Sequence, residues 1–255
     1  MRVTLLGATG GIARGLRTVS IQVDDDLLID AGTGVGDLTL GQMAAIQHVF
    51  LTHAHLDHLA CLPMLADAVL DRRAGPLTVH ALPETLDVLK DGIFNNRLWP
   101  DYTARPSPEA PWVALEPAAV GHPVCVGSRT VTPLPARHSV PGVGYAVEGE
   151  SGSFVYSGDT TLCEPFWEAV NRLPGLRYVF LECTFRDDVS PEQALEWGHM
   201  TPRLWEKALA LYQGDAEVRV IHMEPGKEEA TLGQLNERLG GKAPRPVVAG
   251  EMFEV

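Results

Sequence analysis

Apolar residues in this chain come in short runs punctuated by glycine, proline and acidic turns, a pattern of strands alternating with helices. Val3–Leu6 reads as a strand. Thr18–Val23 alternates apolar and polar positions, and Leu27–Asp30 follows the acidic triplet Asp24–Asp26, so these two runs predict a hairpin. Ala31–Gly34 reads as a turn and Leu38–Ile46 as a short helix. An apolar strand over 48–52 feeds a polar loop and then a helix over Leu59–Leu70. Leu77–His80 is another strand, and Pro83-Glu84-Thr85 opens a helix with proline in its first turn. Residues 99–123 carry six prolines and read as an irregular excursion, in which Trp99, Tyr102 and Trp112 need a surface to pack on.

The second half begins again with strands, Thr130–Leu134, Val143–Val147 and Phe154–Ser157, the last ending in the turn Gly158-Asp159-Thr160. Arg177–Leu181 is a buried-type strand, Pro202–Tyr212 a helix, Val218–His222 a strand and Ala230–Leu239 the last long helix. With strands leading each half and helices outside them, the pattern predicts an α/β fold of two stacked sheets flanked by helices, with polar strand ends gathered along one edge. No repeat or boundary divides the chain, and residues 1–255 read as a single domain.

Composition narrows the partners. At 255 residues with 45% apolar content the chain can bury a deep core, and no apolar run approaches the length of a membrane span. Met1–Leu6 resembles the start of a signal peptide, but Gly7-Ala8-Thr9-Gly10-Gly11 interrupts it, so the segment reads as a first strand and a glycine turn. Cys61, Cys125, Cys163 and Cys183 show no disulfide-type spacing, which points to a reducing, cytoplasmic setting. A net charge of −13 argues against a broad nucleic-acid face, though not against a small anionic substrate at a metal centre.

Candidate chemistry lies in one series. His53-x-His55-x-Asp57-His58 follows the apolar run Val49-Phe50-Leu51, and His138, Asp159, His199 and His222 come later. Alternation along an extended chain puts His53 and His55 on one face, where they can converge on one ion. Asp57 and His58 lie just beyond, where the chain turns towards helix, and can hold a second. Imidazole with carboxylate oxygen is a zinc-type set, and two neighbouring ions can share a hydroxide that attacks carbonyl or phosphoryl centres. Asp159, in a glycine turn at a strand end, points its carboxylate into a cleft and could bridge two ions. His222 also ends a strand. Gly7–Gly11 after a strand invites a dinucleotide-binding reading, but an alternating strand follows where that motif needs a helix. The glycines instead let the backbone approach the metal cleft, with free N–H groups to meet an anion.

The order HxHxDH, H, GD, H resembles the metallo-β-lactamase superfamily across nearly the whole chain. That resemblance implies a four-layer αββα sandwich in which His53, His55 and His138 hold a first divalent ion and Asp57, His58 and His222 a second. Asp159 would bridge the two. Zinc is the expected metal, with manganese or iron as alternatives. Leu181-Glu182-Cys183-Thr184-Phe185 and Gly198-His199-Met200-Thr201-Pro202 resemble the phosphodiesterase side of the superfamily, which includes ribonuclease Z. Gly92–Asp101, with its FN…WPD pattern, is similar to a stretch of the class II cyclic-nucleotide phosphodiesterases. One departure concerns substrate: where that class continues from the last histidine as H-I-K-P, this chain has His222-Met223-Glu224-Pro225, with Lys227 following.

The resemblance implies hydrolysis of a 3′,5′-cyclic nucleotide to the 5′-monophosphate, with the reacting centre at Asp57, His199 and Glu182. His199 would protonate the departing 3′ oxygen and Glu182 would orient it. Nucleic-acid substrates are disfavoured because ribonuclease Z needs a basic, glycine-rich arm, whereas in 99–123 only Arg105 is basic. Thioester or lactone hydrolysis is the other alternative within the superfamily. A small phosphodiester is the expected partner, no membrane is, and the resemblance favours a homodimer.

Overall fold

The computed structural model describes residues 1–255. Seven strands form one sheet: β1 (Arg2–Gly7), β2 (Ser20–Val23), β3 (Leu27–Ile29), β4 (His48–Phe50), β5 (Leu77–Ala81), β8 (Val113–Pro117) and β15 (Met252–Glu254), in the order β15-β1-β2-β3-β4-β5-β8. Six form the other: β9 (Val124–Val126), β10 (Arg129–Pro135), β11 (Val143–Gly149), β12 (Gly152–Tyr156), β13 (Leu176–Glu182) and β14 (Glu217–Ile221), ordered β14-β13-β12-β11-β10-β9. A small ribbon pairs β6 (Pro106–Ser107) with β7 (Ala110–Pro111).

Each sheet begins antiparallel and becomes parallel where a crossover intervenes. β1, β2 and β3 pair antiparallel, then β3, β4, β5 and β8 run parallel. Likewise β9 to β12 form an antiparallel meander, then β12, β13 and β14 run parallel. The helices are α1 (Leu40–Ala45), α2 (Leu56–Leu59), α3 (Leu62–Ala68), α4 (Pro83–Val88), α5 (Glu164–Val170), α6 (Pro191–Trp197), α7 (Pro202–Leu211) and α8 (Glu228–Leu239). None is long and apolar enough to cross a membrane.

Three separate apolar clusters define four layers. Strand alternation sends Leu27 and Ile29 inward between the sheets with Phe50, Tyr145, Phe154 and Phe180, while Leu28 faces the other way. Outside the first sheet Leu28, Val49 and Leu51 pack on Leu62, Leu65 and Leu86. Outside the second, Val155, Val179, Leu181 and Val220 pack on Phe166, Trp167, Leu204 and Trp205. The result is the αββα arrangement that the resemblance implies.

Two local expectations need correction. The stretch 99–123 is not wholly irregular, because β8 pairs parallel with β5 from Leu77↔Val113 to Ala81↔Pro117. β8 is an edge strand, so the prolines beside it leave no ladder bond unmade on its open side. Trp99 and Trp112 pack against the cluster that holds Tyr102. The helix expected over Leu59–Leu70 is two pieces, α2 and α3, broken at Ala60–Cys61. Pro63 explains the break: it starts a helix well but cannot donate to the carbonyl one turn back.

Candidate metal centre

The site gathers at the C-terminal ends of strands from both sheets, where open α/β sheets place their ligands. Asp30 follows β3, the segment His53 to His58 follows β4, His138 follows β10 and Asp159 follows β12. Glu182 ends β13 and His222 follows β14. Asp30 and His222 adopt left-handed backbone, φ 58° and 62°, uncommon for residues with a Cβ. Each lets the chain leave its strand abruptly while the side chain stays in the cleft.

The ligating atoms fall into three overlapping groups, each with its members within 4.8 Å of one another: His53, His55, His138 and Asp159; Asp57, His58, Asp159 and His222; and Asp159, Glu182 and His199. Asp159 belongs to all three. Its Oδ2 lies 3.7 Å from His53 Nε2 and 3.4 Å from His58 Nε2, and its Oδ1 lies 3.4 Å from His222 Nε2. Asp57 Oδ2 is 3.3 Å from His222 Nε2 and 3.4 Å from His58 Nε2. Its side chain is 31% exposed, and with the half-buried His55 and His138 it forms the open rim of the set.

These residues fit divalent cations. His53 Nε2 and Asp159 Oδ1 are buried with no hydrogen-bond partner, although such groups are normally satisfied. Ring nitrogens also face each other, His58 Nε2 with His222 Nε2 at 3.2 Å and His138 Nε2 with His55 Nδ1 at 3.0 Å. Ligands of a tetrahedral ion at about 2.0–2.1 Å sit roughly 3.3 Å apart, close to this spacing. Electrostatics agree. Burial opposes charge on His58, yet the carboxylates of Asp159 and Asp30 raise its pKa well above the usual imidazole value. Burial likewise works against the Asp159 carboxylate, but His222 and His58 hold it well below the usual range. The deep part of the cleft favours positive charge. Burial keeps His53 neutral, with its pKa well below the usual value, as a ligand must be.

Two buried carboxylates behind the ligands set the tautomers. Asp30 Oδ2 accepts from His58 Nδ1 at 2.7 Å and from Thr52 Oγ1 at 2.9 Å, and that hydroxyl in turn accepts from His53 Nδ1 at 3.0 Å. From the other sheet, Glu182 Oε2 accepts from Thr184 Oγ1 at 2.9 Å, which accepts from His222 Nδ1 at 2.9 Å. The Gly198 carbonyl accepts from His138 Nδ1 at 2.9 Å. In its neutral form each of these four rings therefore turns a proton-free Nε2 inward. His55 differs, aiming Nδ1 inward.

His199 stands beside this set. Its Nδ1 donates to Glu182 Oε1 at 2.8 Å, and its distance to Asp159 Oδ2 is 3.9 Å. Burial resists its charge, but the Glu182 carboxylate pushes its pKa up to about 9. Glu182 is fully buried and also accepts the amides of Thr160, Thr184 and Met200, so its position is fixed from three sides.

The structure thus brings together His53, His55, Asp57, His58, His138, Asp159 and His222, with His199 and Glu182 adjoining. Sequence reasoning missed Asp30, Thr52, Thr184 and the Gly198 carbonyl. One signal for Asp30 was available, an acid ending an apolar strand before Ala31-Gly32. The reading of the N-terminal glycines is corrected in part. A Cβ on Gly10 would lie 2.9 Å from the His222 ring, so glycine there admits the ligand. The amides of Ala8 and Thr9, however, donate to the Arg17 carbonyl and that of Gly10 to Met223, which removes them as anion donors. Lys227, which follows the position where class II proteins carry lysine, is paired with Glu224 at 2.7 Å.

A family model described as a beta-lactamase superfamily domain matches residues 26–223. The chain belongs to this family. Its sandwich is the metallo-β-lactamase fold. Similar to this superfamily member is 3′,5′-cyclic-nucleotide phosphodiesterase 1 of Saccharomyces cerevisiae, 26% identical over 181 residues, covering 62% of this chain and 48% of the yeast protein. The match thus spans about half the length of that relative. A ribonuclease Z of Pyrobaculum neutrophilum is 29% identical over 237 residues, covering 79% of each chain. The crystal structure of unliganded yeast PDE1 superposes with a TM-score of 0.82 at 19% identity, covering 100% of this chain and 99% of that one, a likeness of fold.

Proposed function

We propose that this superfamily member is a metal-dependent phosphodiesterase that hydrolyses a 3′,5′-cyclic nucleotide to the nucleoside 5′-monophosphate. The observation that carries the reading is the Glu182–His199 pair, 2.8 Å, set against the carboxylate common to both ligand groups. An alkoxide is a poor leaving group and needs a proton as it departs. A thioester needs none, so thioester chemistry leaves this pair without a task.

In this reading His53, His55 and His138 would hold one cation and Asp57, His58 and His222 the other, with Asp159 common to both groups and zinc the ion that suits the donors. When bound, such ions supply Lewis acidity for the phosphate oxygens and acidify the attacking water. The protein supplies the rest. Glu182 and Thr184 engage His199 Nδ1, leaving Nε2 for the departing 3′ oxygen. Glu182 orients that ring without touching substrate. The buried His53, His58, Asp159 and His222 form the floor of the site, and His55, Asp57 and His138 its half-buried rim.

A ribonuclease Z-like activity is the second reading, favoured by the archaeal relative. Against it, the ribbon β6–β7 carries Glu109 between its strands, and the guanidinium of Arg105 is engaged by Asn96 Oδ1 at 3.0 Å. That leaves 99–123 with one cation, Arg105, where an RNA backbone needs several. The test is to assay metal-replete protein on cyclic AMP, cyclic GMP, bis(p-nitrophenyl) phosphate and precursor tRNA, with metal analysis. Expected are cyclic-nucleotide turnover, untouched tRNA and two ions per chain. Processing of tRNA without cyclic-nucleotide turnover reverses the ranking, and saturation at one ion removes the two-cation assignment.

A further inference from the structure

Trp197 is a large apolar side chain left 44% exposed directly beside the site. Its ring meets Phe185 edge-on at 5.3 Å between centroids, and Phe185 meets His199 edge-on at 5.1 Å. The two rings therefore continue outward from the imidazole placed at the leaving oxygen. Neither is loosely held. Phe185 donates its amide to the Met200 carbonyl at 3.1 Å. Two residues on, Asp187 accepts the Arg203 amide at 2.9 Å and Arg238 Nε at 2.5 Å. Trp197 ends α6, whose first turn is closed by a capping box between Ser190 and Gln193. The helix stops at Gly198, in left-handed backbone with φ 75°. A Cβ at Gly198 would come within 2.5 Å of the His138 Cα. The chain carrying Trp197 is thus packed closely against the His138 segment.

What sets Trp197 apart from other exposed apolar side chains is its flat aromatic face, linked through Phe185 to His199. We propose that Phe185 and Trp197 form the seat of the substrate's nucleobase, Trp197 supplying the stacking face and Phe185 fixing its position against His199. The inference rests on the cyclic-nucleotide reading above and adds to it the residues that select a planar base. Stacking on an aromatic face is tolerant of base identity, so the shelf favours a base over none more than one base over another. Its contribution is made equally in the ground and transition states, and so appears in KM and not in kcat.

The test compares wild-type, Trp197→Leu and Trp197→Phe proteins on cyclic AMP and on methyl riboside 3′,5′-cyclic phosphate, which keeps the reacting ring and lacks the base. Expected for Trp197→Leu is a KM for cyclic AMP raised about ten-fold with kcat within two-fold, and no change on the base-free substrate. Trp197→Phe should recover most of the loss. In parallel, calorimetry of metal-loaded protein with 5′-AMP and ribose 5-phosphate should show the leucine variant weakening the first and sparing the second. Equal effects on the based and base-free ligands, or none on either, overturn the proposal. If wild-type protein turns over neither cyclic substrate, the functional reading fails, and the calorimetric pair still decides whether Trp197 seats a base.

Discussion

Asp30 lies outside the candidate metal groups, yet it orders the protons of His58 directly and, through Thr52, of His53, one ring from each group. Replacing it with asparagine changes one oxygen to NH2 and little else. In the wild-type protein Oδ1 accepts the Thr52 amide at 2.8 Å while Oδ2 accepts His58 Nδ1 and the Thr52 hydroxyl. With the asparagine oxygen kept on the Thr52 amide, its NH2 faces His58 Nδ1, and two donors meet. The relief is to move the His58 proton to Nε2, the atom 3.4 Å from both Asp57 and Asp159. Flipping the amide instead sets NH2 against the Thr52 N–H. Either arrangement leaves one buried donor opposed, at a cost of about 1–3 kcal/mol.

A cation at the Asp57–His58–His222 group must then displace a proton that the wild type keeps elsewhere. The expected loss is roughly 10- to 100-fold in affinity for that ion, the usual scale for a partner behind a ligand. Chelator competition on the zinc-loaded Asp30→Asn protein measures it. Nitrogen-15 spectra of the metal-free protein, taken at a pH high enough to leave His58 neutral, should show its proton on Nε2. Excess zinc should restore most turnover, because the reacting groups are intact. Asp30→Ala, which strands three buried donors, should cost more in folding stability than the asparagine change. Wild-type affinity for both ions in Asp30→Asn, with His58 still protonated at Nδ1, would refute the relay.

Two further outcomes are expected. His199→Ala should retain both ions and lose about 10²–10⁴-fold in turnover of cyclic AMP, with a much smaller loss on bis(p-nitrophenyl) phosphate, whose phenolate departs unprotonated; equal losses with metal retained would assign His199 to phosphate positioning, and loss of an ion would make it a ligand. Away from the site, burial, and then neighbouring His48, depress the pKa of His80 to about 4, so the folded state keeps it neutral while the unfolded chain takes a proton near the ordinary 6.5. Its contribution is intact above pH 6.5 and is lost as pH falls towards 4. The loss of stability to urea between pH 7 and pH 5 should therefore be smaller in His80→Phe by up to about 2 kcal/mol, and an equal loss in the two proteins would show that His80 contributes none of it.

What the sequence displays of this site follows how local each part is. His53 to His58 is legible because six consecutive residues, at the end of one strand and the start of one helix, carry ligands for both groups. His138, Asp159 and His222 are legible only as polar residues at strand ends, and what joins them to the candidate groups is that β10, β12 and β14 run in the same direction and finish at one edge. Asp30 and Thr184 leave no local trace. Asp30 works on residues 22 and 28 positions away, and Thr184 on one 38 away, so their roles exist only once the strands have aligned. The strands of the two main sheets that escaped the pattern, β8, β9 and β15, all lie on sheet edges, where one side of the ladder is open and proline or exposed side chains are tolerated. Central strands must alternate between two apolar layers and so declare themselves; edge strands and proton relays answer to neighbours that the linear pattern does not name. The same reasoning explains why the base-seating pair was not legible: Phe185 and Trp197 are twelve positions apart and become one surface only because α6 folds back on the end of β13.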